Sequence, residues 1–492
     1  MIVGFPKETK VYRDYCSERV FLWVALLGLT IFLGALLRLE MLAVVLAGLI
    51  AFIYASCSIS TSSTNIQVCL WLLLLQNFLI GTGAHLGGNS SDSLSLLTQV
   101  PFILILILFI CRYVNGTAVR RSNSLKTPWI WVLLVLIGAL FFIGGSSITS
   151  KLVAIRNLLM FYMGYVVAYD QCQMMDDPSK MLKQIVRVSA FAVIFGIFML
   201  AQPVSFWQQI GLTEVYIAKQ SPIVDGTMGG RFYTSLDGVT DLLRMGSLYY
   251  EPVNLSYLLL SGMCASAVLI RNKKTGIALL VLLSIGYILT FGKGGFIFLA
   301  FLLIVCLAYL LLSKLGNTES RRMKLTVYFA CVLALGVIAY AYYIFVGGPV
   351  RPHFWALEQT MGSIIHNPIG HGLGTGGNMS DAGSDYSRGA ESAVMTIGYQ
   401  IGIIGIIGVF MLLLAISSKA PNGNSLPSLL GFFIPIGLFA VSILQENTFS
   451  PQCIFPFMAL VACLDVMPSE GARTNSPENQ IAIEEARGYR NG

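Results

Sequence analysis

Gly347-Gly-Pro-Val-Arg351-Pro-His353 opens a stretch that runs through a short amphipathic segment to His366-Asn-Pro-Ile-Gly-His371-Gly-Leu-Gly-Thr-Gly-Gly377. It ends at Ser387-Arg388-Gly-Ala-Glu391-Ser392. An apolar run, 325–346, precedes it and another, 394–416, follows it. Runs of about 20 apolar residues match what a helix needs to cross a bilayer. The polar stretch therefore reads as a long connection between two membrane helices. Three of the four histidines lie in it. Connections of this length inside a compact protein are either functional or disordered, and the mixture of aromatic, apolar and charged residues argues for order.

Outward from this stretch, hydrophobicity dominates. Apolar residues make up 56% of the 492 and charged residues only 11%, with a mean hydropathy of +0.75. Soluble domains do not have this composition. The expected fold class is an all-α polytopic integral membrane protein with about fourteen transmembrane helices. The apolar runs lie near 20–37, 41–57, 66–82, 95–111, 129–144, 152–169, 188–206, 253–270, 276–291, 295–312, 325–346, 394–416, 428–444 and 451–464. Residues 1–467 read as one membrane domain. The tail from Pro468 to residue 492 is polar and poor in large apolar residues, so disorder is expected there. Lys7, Lys10, Arg13 and Arg19 precede the first apolar run with no small-residue cleavage site after it, so the first span itself is expected to direct insertion. The ten cysteines include no Cys-x-x-Cys and fall mainly in apolar runs, which points away from a zinc site or a disulfide scaffold.

Lysine and arginine placement sets the expected orientation. With both termini in the cytoplasm, the inward connections hold 22 of the 31 Lys and Arg residues. Two large loops, 207–252 and 347–393, then face outward. Nine outward cations are left over: Arg38, Lys151, Arg156, Lys219, Arg231, Arg244, Lys293, Arg351 and Arg388.

Chemistry-bearing residues gather in these outward segments. The first large loop contains Gly229-Gly-Arg231-Phe-Tyr233 and Arg244-Met-Gly-Ser-Leu-Tyr-Tyr-Glu251-Pro-Val-Asn254. Glu251-Pro252 suits a helix start, where proline fits the first turn and a carboxylate meets the positive end of the dipole. Arg244 reads either as a loop cation or as an anion holder beside exposed helix N–H groups. Lys293 sits in the tight turn Phe291-Gly-Lys-Gly-Gly295 between two apolar runs. It either snorkels to headgroups or marks a site, as ionisable groups at membrane depth do. The glycines around His371 resemble a backbone nest for an anion. No Lys-Ser/Thr follows them, which argues against a nucleotide site, and no nucleic-acid partner is expected. Glu391 is open to the same helix-start reading as Glu251. The histidines have no carboxylate at ligand spacing, so neither a metal nor a cofactor is expected. Tyr249, Tyr250, Tyr340, Tyr342 and Tyr343 read as an interfacial aromatic belt. Cations paired with carboxylates at outward helix starts (Arg244 with Glu251, Arg388 with Glu391), together with Lys293, Arg231 and Arg351, suit a lipid-linked phosphate or diphosphate.

Four pieces of the chain, in this order, resemble the O-antigen polymerase and ligase superfamily, the Wzy-type polymerases and the lipid A-core ligases. They are Arg244-Met-Gly-Ser through Glu251-Pro-Val-Asn-Leu-Ser256, Phe291-Gly-Lys-Gly-Gly295, Asn367-Pro-Ile-Gly-His-Gly-Leu-Gly-Thr-Gly376, and Glu391-Ser392 followed by Gly398-Tyr-Gln-Ile-Gly-Ile-Ile-Gly405. The likeness covers about residues 230–410. It implies a GT-C-like glycosyltransferase of the bacterial inner membrane that uses undecaprenyl-diphosphate-linked glycans at the outer face, without nucleotide sugar. It also implies that loop arginines grip the diphosphate: Arg244 and Arg388 first, with Arg231, Lys293 and Arg351 in support. A general base would come from Glu391, then Glu251, then His371. Where the family often has Ser-Arg-Gly this chain has Lys293, which keeps the charge and loses the guanidinium fork. His366-Asn367 stands before the Gly-rich run instead of close to the following helix, which favours a polymerase over a ligase. A chain-length regulator and a flippase are the partners implied. The rival reading from another class is a lipid-linked glycan flippase, although the repeated halves common in transporters are not evident.

Overall fold

A computed structural model describes residues 10–58, 65–91, 93–114, 127–175, 177–218, 233–236, 239–270, 274–316, 320–345, 351–377, 388–389 and 392–467. Helices account for nearly all of them. In chain order they are α1 (Lys10–Leu37), α2 (Glu40–Ser58), α3 (Asn65–Gly87), α4 (Leu94–Leu97), α5 (Val100–Val114), α6 (Pro128–Phe141), α7 (Ile148–Met174), α8 (Ser179–Leu200), α9 (Val204–Gln209), α10 (Leu212–Ala218), α11 (Pro252–Leu269), α12 (Lys274–Leu289), α13 (Lys293–Gly316), α14 (Arg321–Phe345), α15 (Arg351–His366), α16 (Ala393–Ser417), α17 (Leu426–Ser442) and α18 (Pro451–Val466). The one sheet among the described residues is an antiparallel hairpin, β1 (Tyr233–Leu236) with β2 (Val239–Leu243).

Nine of the described helices are long and apolar enough to cross a membrane. Five shorter apolar helices, Glu40–Ser56, Pro128–Phe141, Thr275–Leu289, Leu426–Ser442 and Pro451–Val466, lie on the remaining apolar runs. The chain is a predominantly α-helical polytopic membrane protein. Local chemistry sets several helix starts. Thr127 accepts from the Trp129 N–H with Pro128 in the first turn. Ser147 accepts from Ser150 N–H, and Ser392 accepts from Met395 N–H; each satisfies a donor left open at a helix end.

The centre of the bundle is α18, whose residues from Pro451 to Leu464 are all buried. It packs against α7, α17 and α11. With 17 and 16 residues, α17 and α18 are about 25 Å long, short of the roughly 30 Å of hydrocarbon in a bilayer. Protein walls surround them instead of lipid, which is also why Pro435 and Pro456 are tolerated inside them. The outer ring is lipid-like: α14 leaves Leu333, Val337 and Ile338 more than half exposed.

The described parts of the first large loop are folded onto the bundle. It contains α9 and α10, and α10 lies along α3, where the His85 ring and the Glu214 carboxylate approach to 2.8 Å. Gly211, with φ +81°, sits directly on Gly81 of α3 and leaves no room for a side chain. Two tyrosines expected in an interfacial belt lie here instead. Tyr249 and Tyr250 are each 1% exposed. The Tyr250 hydroxyl donates to the carbonyl of Ile210 and the Tyr216 hydroxyl to that of Tyr250, both at 2.8 Å. Because the loop doubles back, these rings pin it down and do not face headgroups. Tyr340 remains exposed on α14.

Candidate functional site

Among the described residues, four of the nine cations expected to face outward donate to backbone carbonyls near helix ends, Arg244 included. Arg38 donates to Gly87 and Gly88 at the C-terminus of α3, Lys151 to Phe141 and Gly144, and Arg156 to Thr98 just after α4. A cation at the negative end of a helix dipole is a sufficient reason for Arg38 and Arg156. Lys219 and Arg231 lie outside the described residues, as does the side chain of Arg351, whose backbone opens α15. Of the remaining three, Arg244 is half-buried, and Lys293 and Arg388 are exposed.

Arg244 and Lys293 belong to one corner. The Arg244 guanidinium donates through Nε to the carbonyl of Thr290 at 3.0 Å, and Met245 N–H donates to Leu289 at 2.9 Å. The turn between α12 and α13 is thereby held beneath the end of the first loop. Phe291 adopts φ +45° to make that turn, and the side chain of Lys293 is exposed. Its three glycines are needed for contact. Gly292 and Gly295 abut Ser256 of α11, and Gly294 abuts Tyr257 and the side chain of Gln445.

Glu251 immediately precedes α11, is 3% exposed, and faces Cys453 of α18 at electrostatic range. Around it, Asn254 donates to Gln452 at 2.9 Å and Gln452 to the Leu73 carbonyl at 3.3 Å. This is an enclosed polar junction between the starts of α11 and α18.

The Gly-rich run serves another purpose than an open nest. Helix α16 breaks at Ile401 and Gly402, the latter at φ +74°, which frees backbone groups from the helical ladder. The loop takes them up: His371 and Gly372 N–H donate to the carbonyls of Tyr399 and Gln400, and Ile403 N–H donates to that of Pro368. Gly374 N–H donates to the Gln400 side chain, which in turn donates to Gly376. Gly370 N–H goes to Asn367, Leu373 N–H to Leu140 and Gly377 N–H to Arg388. The nest reading is corrected on this point, because these N–H groups are consumed by protein acceptors. Positive φ at Gly370, Gly372, Gly374 and Gly377 lets the loop lie flat on the broken helix. His371 stacks on the Tyr399 ring with centroids 4.1 Å apart, and its Nδ1 contacts the Tyr399 carbonyl at 3.1 Å.

Arg388 is exposed beside this loop, with its carbonyl bound by Gly377. Glu391 lies outside the described residues. Beneath Arg388 is a carboxylate that was not singled out from the sequence. Glu446 opens the 3₁₀ turn Glu446–Phe449 between α17 and α18, and its Oε1 lies against Gly377. A cavity of about 50 Å³ adjoins it, with Asn157 of α7, Thr396 and Gln400 of α16 and Phe449 among its walls. Gln445 and Glu446 thus stand between two cation-bearing segments: Gln445 touches the Lys293 turn and Glu446 the Arg388 loop. Their signal in the sequence is a polar pair in a short link between two apolar runs, the same kind of signal that marks Lys293. Among the described residues no group of His, Cys, Asp and Glu could hold a metal ion.

Compared with known proteins, the chain matches no family model, and no curated protein sequence matches it.

Proposed function

We propose that the protein is a membrane glycosyltransferase that polymerises undecaprenyl-diphosphate-linked oligosaccharide repeats of an O-antigen, capsule or exopolysaccharide. The reading places it in the bacterial inner membrane with both termini cytoplasmic, fourteen spans in a GT-C-like arrangement, and its chemistry at the outer face. The observation that carries it is the meeting of the Lys293 turn and the Arg388 loop on Gln445 and Glu446.

The reaction asks two things of the enzyme. Charge grows on the departing diphosphate, and fixed cations answer it best when they need not reorganise. Arg244 is anchored through Nε, and Arg388 sits on a loop locked to α16 by backbone bonds; Lys293, Arg231 and Arg351 support them. The acceptor hydroxyl must also lose its proton, for which a carboxylate at the same end of the bundle is suited. A single displacement would invert the anomeric carbon.

The test is reconstitution of the purified protein in liposomes with an undecaprenyl-diphosphate-linked repeat unit, read out as chain length. Extended chains on the lipid carrier are expected. Transfer of finished chains to a lipid A core acceptor would make it a ligase. Movement of the lipid-linked unit across the bilayer without extension would make it a flippase. In the host, deletion of the gene is expected to leave single repeats on the surface glycan.

A further inference from the structure

We propose that the cavity beneath the Gly-rich loop is the acceptor subsite and that Glu446 is the catalytic base that takes the proton from the attacking sugar hydroxyl. The proposal rests on the polymerase reading above and assigns a residue and a subsite within it.

Depth is the first consideration. Asn157, on the cavity wall, lies nine residues past Ile148 in α7, about 14 Å down the helix axis. On α16 the walls run from Ala393 to Gln400, across the first two turns. Glu446, half-buried, meets this wall at the loop end, against Gly377 and Thr396.

Size is the second. A cavity with about 50 Å³ open to the centres of water molecules has room for a few waters, since roughly 10–15 Å³ of such space holds one. It is large enough to take the hydroxyl-bearing edge of a sugar. The walls suit such an edge, with Asn157, Thr396, Gln400 and Glu446 as polar groups and Phe449 and Ile397 as apolar ones. They are also rigid. Gln400 is held at both ends by Gly374 and Gly376, and Thr396 donates to the carbonyls of Gly389 and Ser392. Positioned polar groups of this kind define small-molecule subsites.

Placement is the third. Glu446 lies between Gly377, bonded to Arg388, and Gln445, packed on the Lys293 turn. A diphosphate held by these cations would sit on one side of the carboxylate and the hydroxyl in the cavity on the other. The remaining described bases fit less well. Glu251 is enclosed at the start of α11, and His371 is stacked on Tyr399 with Nδ1 at a carbonyl.

In the reaction the hydroxyl oxygen forms a bond to the anomeric carbon. The bond from that carbon to the diphosphate oxygen breaks, and its electron pair leaves with the diphosphate. The hydroxyl proton passes to the Glu446 carboxylate and then to solvent or to the departing diphosphate.

The test compares wild type, Glu446→Gln and Glu446→Asp in liposomes supplied with undecaprenyl-diphosphate-linked repeat. Extension rate, donor affinity and pH profile are recorded. For Glu446→Gln, an extension rate lower by about 10²–10⁴-fold is expected, with donor affinity unchanged and the acidic limb of the rate profile abolished. Glu446→Asp is expected to recover part of the rate and to keep that limb. Equal losses of donor affinity and rate would overturn the proposal, as would a wild-type rate for Glu446→Gln. Absence of any extension by the wild-type protein would overturn the polymerase reading itself. Ala154→Leu, which fills the cavity from α7, is an independent arm. It is expected to raise the acceptor KM at unchanged donor affinity, and an unchanged acceptor KM would remove the cavity from the site.

Discussion

Charge is held in two different ways at two places in the helical bundle. At the end that carries the short connections, Arg112 of α5 and Asp170 of α7 form an ion pair with both side chains about 5% exposed. Lys324 is buried there as well, donating to Ser428 at 2.7 Å beneath the rings of Tyr309 and Phe432. At the end that carries the large loops, Lys293 and Arg388 are exposed, on turns fixed by glycine contacts and backbone bonds. Charge consumed by neighbours holds a fold together. Charge on a fixed, exposed turn is what a charged substrate requires.

The contrast is broken most directly at the closed end. Replacing Arg112 by Ala leaves Asp170 buried without its partner and is expected to destabilise the protein by about 3–5 kcal/mol, measured by thermal unfolding in detergent. Replacing both residues by Leu is expected to restore most of that loss, since an apolar pair of similar volume can substitute for a buried ion pair. If the single and double variants unfold alike, the pair is not what stabilises that end.

The open end is expected to respond in activity, not in stability. Arg388→Ala is expected to lower the extension rate by about 10²-fold, the usual effect of removing one fixed donor to developing charge. Its unfolding temperature is expected to stay near wild type, as for exposed substitutions. Arg388→Lys should fall between the two, keeping the charge without the fork. A stability loss comparable to that of Arg112→Ala would place Arg388 among the structural cations.

Hydropathy exposed the membrane helices because the bilayer imposes a length and a composition that survive in the chain. Turns carrying Lys293 and Arg388 were legible for the same reason, as charges that the bilayer does not explain. Glu446 was not. Its meaning depends on Gly377, Asn157 and Gln400, which approach it only when α7, α16 and the α17–α18 link come together, and no local period records that. The Gly-rich run misled in the opposite direction. Its glycines look like donors waiting for an anion, but the break in α16 that consumes them is visible only once the helix is built. Tyr249 and Tyr250 were assigned to a belt because local sequence does not show that a loop folds back onto the bundle.

That break offers the next test. Gly402 sits at φ +74°, and a Cβ there would run into the carbonyl of Pro368. Gly402→Ala is expected to cost about 1–3 kcal/mol through backbone strain. It should loosen the loop at 367–377, detected as faster proteolysis there, and lower extension along with it. A loop that stays protected would mean that the loop is not anchored through the break.

The smallest expected effect concerns the first large loop, and it decides whether that loop belongs to the rigid framework of the open end. Tyr250 is buried, and its hydroxyl donates to the Ile210 carbonyl. Removing the hydroxyl in Tyr250→Phe keeps the ring and leaves the Ile210 carbonyl only the longer bond from the Thr82 hydroxyl, at 3.3 Å, at a cost of about 1 kcal/mol. A tyrosine in an interfacial belt would show almost no change, because water and headgroups replace the lost bond. The two alternatives therefore separate on a single unfolding measurement. If the loss is found, Arg244 is mounted on a loop tied to α3, and its guanidinium position is set by the same packing that buries Tyr249 and Tyr250. If it is not, the loop moves independently, and the position of Arg244 is set by its bond to Thr290 and that of Met245 to Leu289.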